Sequence, residues 1–249
     1  MLSLLCCIGE IMEKFITSFK AAFYLNFIKG AKWKWLVKGL GVTLQIALVA
    51  VIIGTVLGAV TAIIRLSYEQ NGKKVFGFPG FMLKVGNALC KFYVTVIRGT
   101  PVIVQLLIMF FVIMASSKNG QLVATLTFGI NSGAYVSEIF RSGFLSVDNG
   151  QFEAGRSLGL SYMQTMVKVI MPQAVRTIIP TLCNEFITLL KETSVAGYVA
   201  VTDLTRAGDL IRGSTMSAFM PLFAVALIYL ALVVILTKLV GVIEKKLKN

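Results

Sequence analysis

Five stretches of this chain, residues 36–64, 92–115, 122–140, 178–201 and 217–242, are apolar over roughly the 20 residues a helix needs to cross a hydrocarbon core. Backbone N–H and C=O groups in lipid must be paired within the protein, so a spanning segment is either a helix or a strand of a closed barrel. The five runs lack the short alternation of barrel strands, which leaves helices. Composition agrees: 57% of the 249 residues are hydrophobic and 14% charged, where a soluble domain carries about a quarter charged. The expected fold is all-α, a polytopic membrane bundle of about five transmembrane helices. Residues 36–249 form its membrane domain, behind an N-terminal segment of residues 1–35.

A net charge of +13 would suit nucleic acid if the basic residues formed one soluble patch, but they lie between and beside the apolar runs. Their better use is orientation, since cytoplasmic loops are enriched in Lys and Arg. Placing Arg65, Lys73, Lys74, Lys84, Lys91, Arg141, Arg156, Lys168, Arg176 and the tail lysines Lys238, Lys245, Lys246 and Lys248 inside gives a consistent alternation. The N-terminus is then outside and the C-terminus cytoplasmic. Six lysines oppose this orientation: Lys14, Lys20, Lys29, Lys32, Lys34 and Lys38 all precede the first run and would face outward.

Several chemistries are excluded. Histidine is absent, which removes imidazole metal sites and Ser-His nucleophiles. Cys6, Cys7, Cys90 and Cys183 show neither CxxC spacing nor a disulfide framework. No GxxxxGK[ST] sequence occurs, so no P-loop binds ATP here. No enzymatic activity, bound cofactor or metal is expected of this chain. In the N-terminal segment Met12, Phe15, Phe19, Phe23 and Phe27 recur at helical spacing with Lys14 and Lys20 off that line, the pattern of a helix lying in the membrane interface. Trp33 and Trp35 among Lys32, Lys34 and Lys38 form an interfacial collar. Gly54 and Gly58 make a GxxxG step that permits close helix approach, and residues 68–80 read as a loop.

Residues 152–172, FEAGRSLGLSYMQTMVKVIMP, are polar and glycine-containing in an otherwise oily chain. Residues 152–158 can form a short helix with an apolar side, Gly159 permits a left-handed turn, Ser161 can cap a second helix, and Pro172 interrupts that helix. With its spacing intact, the segment resembles the EAA loop of the membrane subunits of bacterial ATP-binding-cassette importers, on Glu153, Ala154, Gly159, Val169, Met171 and Pro172. Gly155 departs from that pattern, which has a second alanine there and so a firmer helix. The resemblance implies that Phe152, Glu153, Ala154, Gly159, Leu160 and Pro172 couple this chain to a separate ATPase on the cytoplasmic side.

Two other segments narrow the resemblance to permease subunits of polar amino acid importers. In residues 93–105 the run Arg98-Gly99-Thr100-Pro101 follows a tyrosine, and Gln105 lies one turn on. Arg98 either sits at the cytoplasmic end of a span kinked by Pro101 or faces a water-filled route. In residues 131–141 Asn131, Tyr135, Glu138 and Ser142 fall on one helical face, with Glu138 and Arg141 spaced to pair. The fourth run carries Thr181, Asn184, Glu185 and Thr188. Glu185 lies near mid-membrane, where an acidic group is a candidate functional site or the partner of a basic residue on another helix. Candidate substrate contacts are Glu185, Asn184, Thr188, Asn131, Tyr135, Thr100 and Gln105. The resemblance also implies a second permease subunit, identical or a sister, two ATPase subunits that bind ATP, an extracytoplasmic amino acid-binding protein and the surrounding bilayer. A secondary transporter built of similar helices, or a membrane scaffold, is the alternative.

Overall fold

The computed structural model of the chain describes residues 2–71 and 77–248. Residues 72–76 of the expected loop, and the side chains of Cys6, Cys7 and Phe15, lie outside the described residues. Helix α1 (Leu2–Phe23) leads through a π turn (Tyr24–Ile28) and a short 3-10 turn into α2 (Trp33–Asn71). Then come α3 (Phe78–Gly99), α4 (Val102–Ile108), α5 (Gly120–Leu145), α6 (Asn149–Ser157), α7 (Tyr162–Thr165), α8 (Met171–Glu192), α9 (Leu204–Thr215) and α10 (Phe219–Lys248).

Among the described residues three helices are long and apolar enough to span a membrane by composition alone: Trp33–Glu69, Phe78–Gly99 and Phe219–Leu247. α5 and α8 fall outside that group by composition, because polar and charged side chains interrupt their apolar runs. α5 is the central helix, with α2 along its length and α8, α3 and α4 around it, and Val123, Ala124, Phe128, Ala134 and Val136 on it are wholly buried. Thr125 and Thr127 lose little there, since each hydroxyl donates to the carbonyl four residues back at 2.8 Å.

The α2–α5 contact is a seam of glycines. A Cβ on Gly54 would stand 2.8 Å from Ser132 Cβ, and one on Gly58 would stand 2.6 Å from Val136 Cγ1. From the other side, Gly129 faces Ile53 and Gly133 faces Leu57 at 2.8 and 3.0 Å. The GxxxG step of α2 thus meets a second one on α5, each helix seating the other's branched side chains. Arg65 closes the seam at one end, donating to Glu138 of α5, while Arg141 bonds the other Glu138 oxygen at 3.0 Å.

The structure corrects several sequence expectations. The span expected at 92–115 begins mid-helix, because α3 starts at Phe78, and Pro101 does more than kink it. Thr100 (φ −122°, ψ 145°) and Pro101 (φ −63°, ψ 135°) are extended, and α4 starts anew at Val102. Pro lacks an N–H and disfavours helix at the residue before it, which accounts for a full break. The span expected at 178–201 is the end of a longer helix and stops at Glu192, followed by a 3-10 stretch (Thr193–Val199). Pro172 does not interrupt it: α7, a π turn (Met166–Ile170) and α8 run without a gap, the wider turn absorbing the missing hydrogen bond one turn before the proline. Phe27 leaves the exposed line of Met12, Phe19 and Phe23, because the π turn at Tyr24–Ile28 shifts the helical phase. It packs instead with Leu36, Leu204, Ala207 and Ile211.

Gly58→Leu is expected to lower the thermal midpoint of the detergent-solubilised protein, at a cost of about 1–3 kcal/mol. Gly41→Leu, with nothing within 4 Å of its Cβ, should change it little; equal effects of the two would refute the seam.

Candidate functional site

The exposed residues of α8 include Gln173, Thr177, Thr181, Asn184 and Thr188, spaced three or four apart, while Ala174, Ile178 and Ile187 are buried against the bundle. One face of this helix is therefore polar along its length, which hydrocarbon does not tolerate. Facing its inner half are Tyr135, Glu138 and Ser142 of α5 and Arg98 of α3, which with Thr181, Asn184, Glu185 and Thr188 line a cleft of about 430 Å³.

Glu185 points into this cleft from mid-helix. Its Oε1 accepts from Ser132 Oγ at 3.1 Å, and Ser132 is itself fixed beneath Gly54 in the glycine seam. The salt bridge weighed for Glu185 is not formed among the described residues. Arg98 lies at the carboxyl end of α3, a position the helix dipole favours for a cation, and its guanidinium stands 5.1 Å from the centroid of the Tyr135 ring. The cleft thus presents a carboxylate and a guanidinium together with amide and hydroxyl groups.

Of the seven candidate substrate contacts, Glu185, Asn184, Thr188 and Tyr135 meet on this cleft. Thr100, Gln105 and Asn131 are joined to one another instead. Gln105 Nε2 donates to the carbonyls of Ile97 and Thr100 at 2.7 and 3.1 Å and to Thr100 Oγ1 at 2.8 Å, and its Oε1 accepts from Asn131 Nδ2 at 3.0 Å. These bonds satisfy carbonyls that the Pro101 break leaves open. Sequence reasoning missed Ser132, a small hydroxyl among many, whose only signal is its place three residues before Tyr135. Glu138 and Arg141 pair as their spacing suggests, and Glu138 also borders the cleft.

The second element is the hairpin of α6 and α7. Asp148 caps α6 by accepting from the Gly150 N–H at 2.6 Å. Gly159 turns the chain at φ +81°. Ser161 and Gln164 then form a reciprocal capping box at the start of α7. Phe152 and Tyr162 meet edge to face at 5.2 Å, and burial pushes the Tyr162 phenol above its ordinary pKa. Leu158 at the tip is 83% exposed. Gly155 does more than soften α6: it is buried, and a Cβ there would stand 2.6 Å from Thr165 Cγ2, so the two helices close together because this residue lacks a side chain. Leu160 donates its N–H to the Gly155 carbonyl across the turn. Glu153 and Ala154 are exposed on the outer side of α6. Because α7 continues into α8, this capped knob and the cleft residue Glu185 belong to one rod of helix.

A helical bundle with membrane-length apolar helices, a polar cleft and a capped hairpin on the helix that lines it has the architecture of a membrane transport subunit. The family model for binding-protein-dependent transport system inner membrane components matches residues 80–249, and the chain belongs to that family. It is 34% identical over 216 residues to a putative glutamine transport system permease protein of Rickettsia felis, covering 86% of this chain and 93% of the relative. The arginine transport system permease protein of Bacillus subtilis is 34% identical over 218 residues, with coverage of 86% and 93%. The L-cystine transport system permease protein of Bacillus subtilis is 33% identical over 225 residues, with coverage of 89% and 90%. The crystal structure of an amino acid ABC transporter with histidines superposes with a TM-score of 0.78 at 34% identity, covering 88% of this chain and 98% of that one. The MetNI methionine ABC transporter shares the fold, with a TM-score of 0.71 at 20% identity, covering 87% and 98%.

Gly155→Ala should loosen the hairpin by about 1–3 kcal/mol, read as faster tryptic cleavage at Arg156. Gly155→Ala/Thr165→Ser, which removes the clashing Cγ2, should restore resistance; no rescue would separate Gly155 from Thr165.

Proposed function

We propose that this chain forms one wall of a pathway for a polar amino acid, as a membrane subunit of an ATP-binding-cassette importer. The observation that carries the substrate class is the cleft in which Glu185 and Arg98 stand on facing helices. An amino acid is a zwitterion, and a carboxylate for its ammonium with a guanidinium for its carboxylate matches that charge pair. Asn184, Thr188 and Tyr135 supply the uncharged contacts. Thr100, Gln105 and Asn131 act from behind, holding the broken helix that presents Arg98.

The subunit pairs with a second permease subunit, and together they engage two ATPase subunits and an extracytoplasmic binding protein. This chain does not hydrolyse ATP; the nucleotide is bound by the ATPase subunits. The hairpin of residues 149–165 faces the cytoplasm, with Phe152, Glu153, Ala154 and Leu160 engaging the ATPase. α8 then leads outward past Glu185 and α10 returns, leaving the N-terminus outside and the C-terminus inside. When ATP draws the ATPases together, the knob moves. Gly159 and the Ser161–Gln164 box keep the hairpin stiff, the π turn before Pro172 keeps the helix unbroken, and displacement at the knob reaches the cleft through α8. A secondary transporter would have no use for such a knob.

Co-purification with a P-loop ATPase and ATP-driven amino acid uptake in vesicles test the assignment, and absence of both would overturn it. Glu185→Gln should raise the half-saturating substrate concentration roughly ten- to a hundredfold, the equivalent of about 1.5–3 kcal/mol for a hydrogen bond to a charged group; an unchanged value would remove Glu185 from the site. Gly159→Val forces a β-branched residue into a left-handed turn at about 1–2 kcal/mol. ATP hydrolysis should then proceed without uptake, and normal ATP-driven uptake would sink the coupling role.

A further inference from the structure

The lysines before α2 and in its first turns play no part in the proposed pathway, and they stand on the side where cytoplasmic-loop statistics do not place them. Lys14, Lys20, Lys29, Lys34 and Lys38 are exposed, and none is in an ion pair among the described residues. Lys34 and Lys38 lie one turn apart at the start of α2. Below them the same helix exposes Leu48, Ile52, Val56 and Ile63, each at least half open, so these lysines stand above a lipid-facing stripe. Trp33 and Trp35 are 47% and 41% exposed at the same level, with Lys34 Nζ 6.0 Å from the centroid of the Trp33 ring. α1 adds an exposed apolar line of Met12, Ile16, Phe19 and Phe23.

The base of this segment is pinned. Asn26 is fully buried, accepts from Thr215 Oγ1 at 2.7 Å and donates to Ser217 Oγ at 3.3 Å, across the α9–α10 turn. Asn26 therefore fixes the turn that leads into the exposed tryptophans and the basic collar.

We propose that Lys29, Lys34 and Lys38, with Trp33 and Trp35, form a binding site for anionic phospholipid headgroups of the outer leaflet, with α1 lying on that leaflet. The occupant is lipid rather than an acidic protein because the charges crown apolar surface and carry interfacial aromatics, the arrangement that polybasic membrane-surface segments use. The proposal rests on the orientation given above.

The two tryptophans of the chain are these two, so selectively excited tryptophan fluorescence reports on the collar alone. The full chain is reconstituted in phosphatidylcholine vesicles containing either brominated phosphatidylglycerol or brominated phosphatidylcholine at equal mole fraction. The anionic quencher should be at least about twofold more effective, and Lys29→Gln/Lys34→Gln/Lys38→Gln should equalise the two while leaving quenching by phosphatidylcholine intact. Equal quenching in the native chain, or a preference that survives in the variant, overturns the site. Weak quenching by both lipids, as when a second copy covers the collar, overturns it too. Labelling of Lys20→Cys in a cysteine-free chain on intact cells by a membrane-impermeant maleimide checks the orientation separately. Labelling only after permeabilisation would overturn the orientation and the proposal with it; external labelling with equal quenching would overturn the proposal alone.

Discussion

The approach of α2 to α5 is the constraint from which the rest of the bundle follows. In lipid there is no hydrophobic drive between helices, so association depends on close packing and polar contacts. Gly54 and Gly58 on α2, and Gly129 and Gly133 on α5, let each helix seat the other's side chains. That contact has consequences at three levels. At one end it brings Arg65 to Glu138. At its middle it fixes Ser132, which holds Glu185. It also permits Tyr93 to donate to the Ile130 carbonyl at 2.5 Å, tying α3 to the same core. A side chain at Gly54 would therefore displace Ser132, and with it the acidic group of the cleft, as well as loosen the packing.

The second organising feature is the continuity of α7 and α8. Two prolines, Pro172 and Pro180, lie in this helix, and either could have made a joint. A joint between knob and cleft would absorb displacement rather than transmit it. The π turn at Met166–Ile170 avoids this by widening the helix where the first proline removes a hydrogen bond. The contrast with Pro101 is instructive. There the preceding residue adopts extended geometry, α3 ends, and the freed carbonyls are taken up by Gln105. Proline is accommodated within a continuous rod in one helix and marks a break in another, according to whether a wider turn or a side-chain donor stands beside it.

That difference marks what could be read from the sequence. The helical class, the left-handed Gly159 and the Ser161 cap were legible because each depends on residue type and near neighbours. Whether Pro101 or Pro172 breaks its helix was not, since that depends on partners far along the chain, such as Asn131 for Gln105. The position of Arg98 was ambiguous for the same reason: an arginine beside a proline suits a helix end at any depth. Phe27 kept the spacing of an exposed line and was turned inward by a π turn that no local pattern announces. Gly155, which by propensity weakens α6, is explained by Thr165 ten residues on.

The polar face of α8 bears on how many subunits are needed. Thr181 and Thr188 donate their hydroxyls to carbonyls four residues back, at 2.9 and 3.1 Å, so threonines alone could face hydrocarbon at little cost. Asn184 and Glu185 have no such escape, because an amide or carboxylate in lipid without partners costs several kcal/mol or more. Ser132 satisfies one oxygen of Glu185, and the remainder of the face requires water or protein. Since Thr181, Asn184 and Thr188 are exposed in the single chain, the second membrane subunit proposed above, closing over a wet cleft, would remove this cost. Asn184 and Glu185, the residues that make α8 expensive in isolation, are therefore the ones on which that proposed pairing bears.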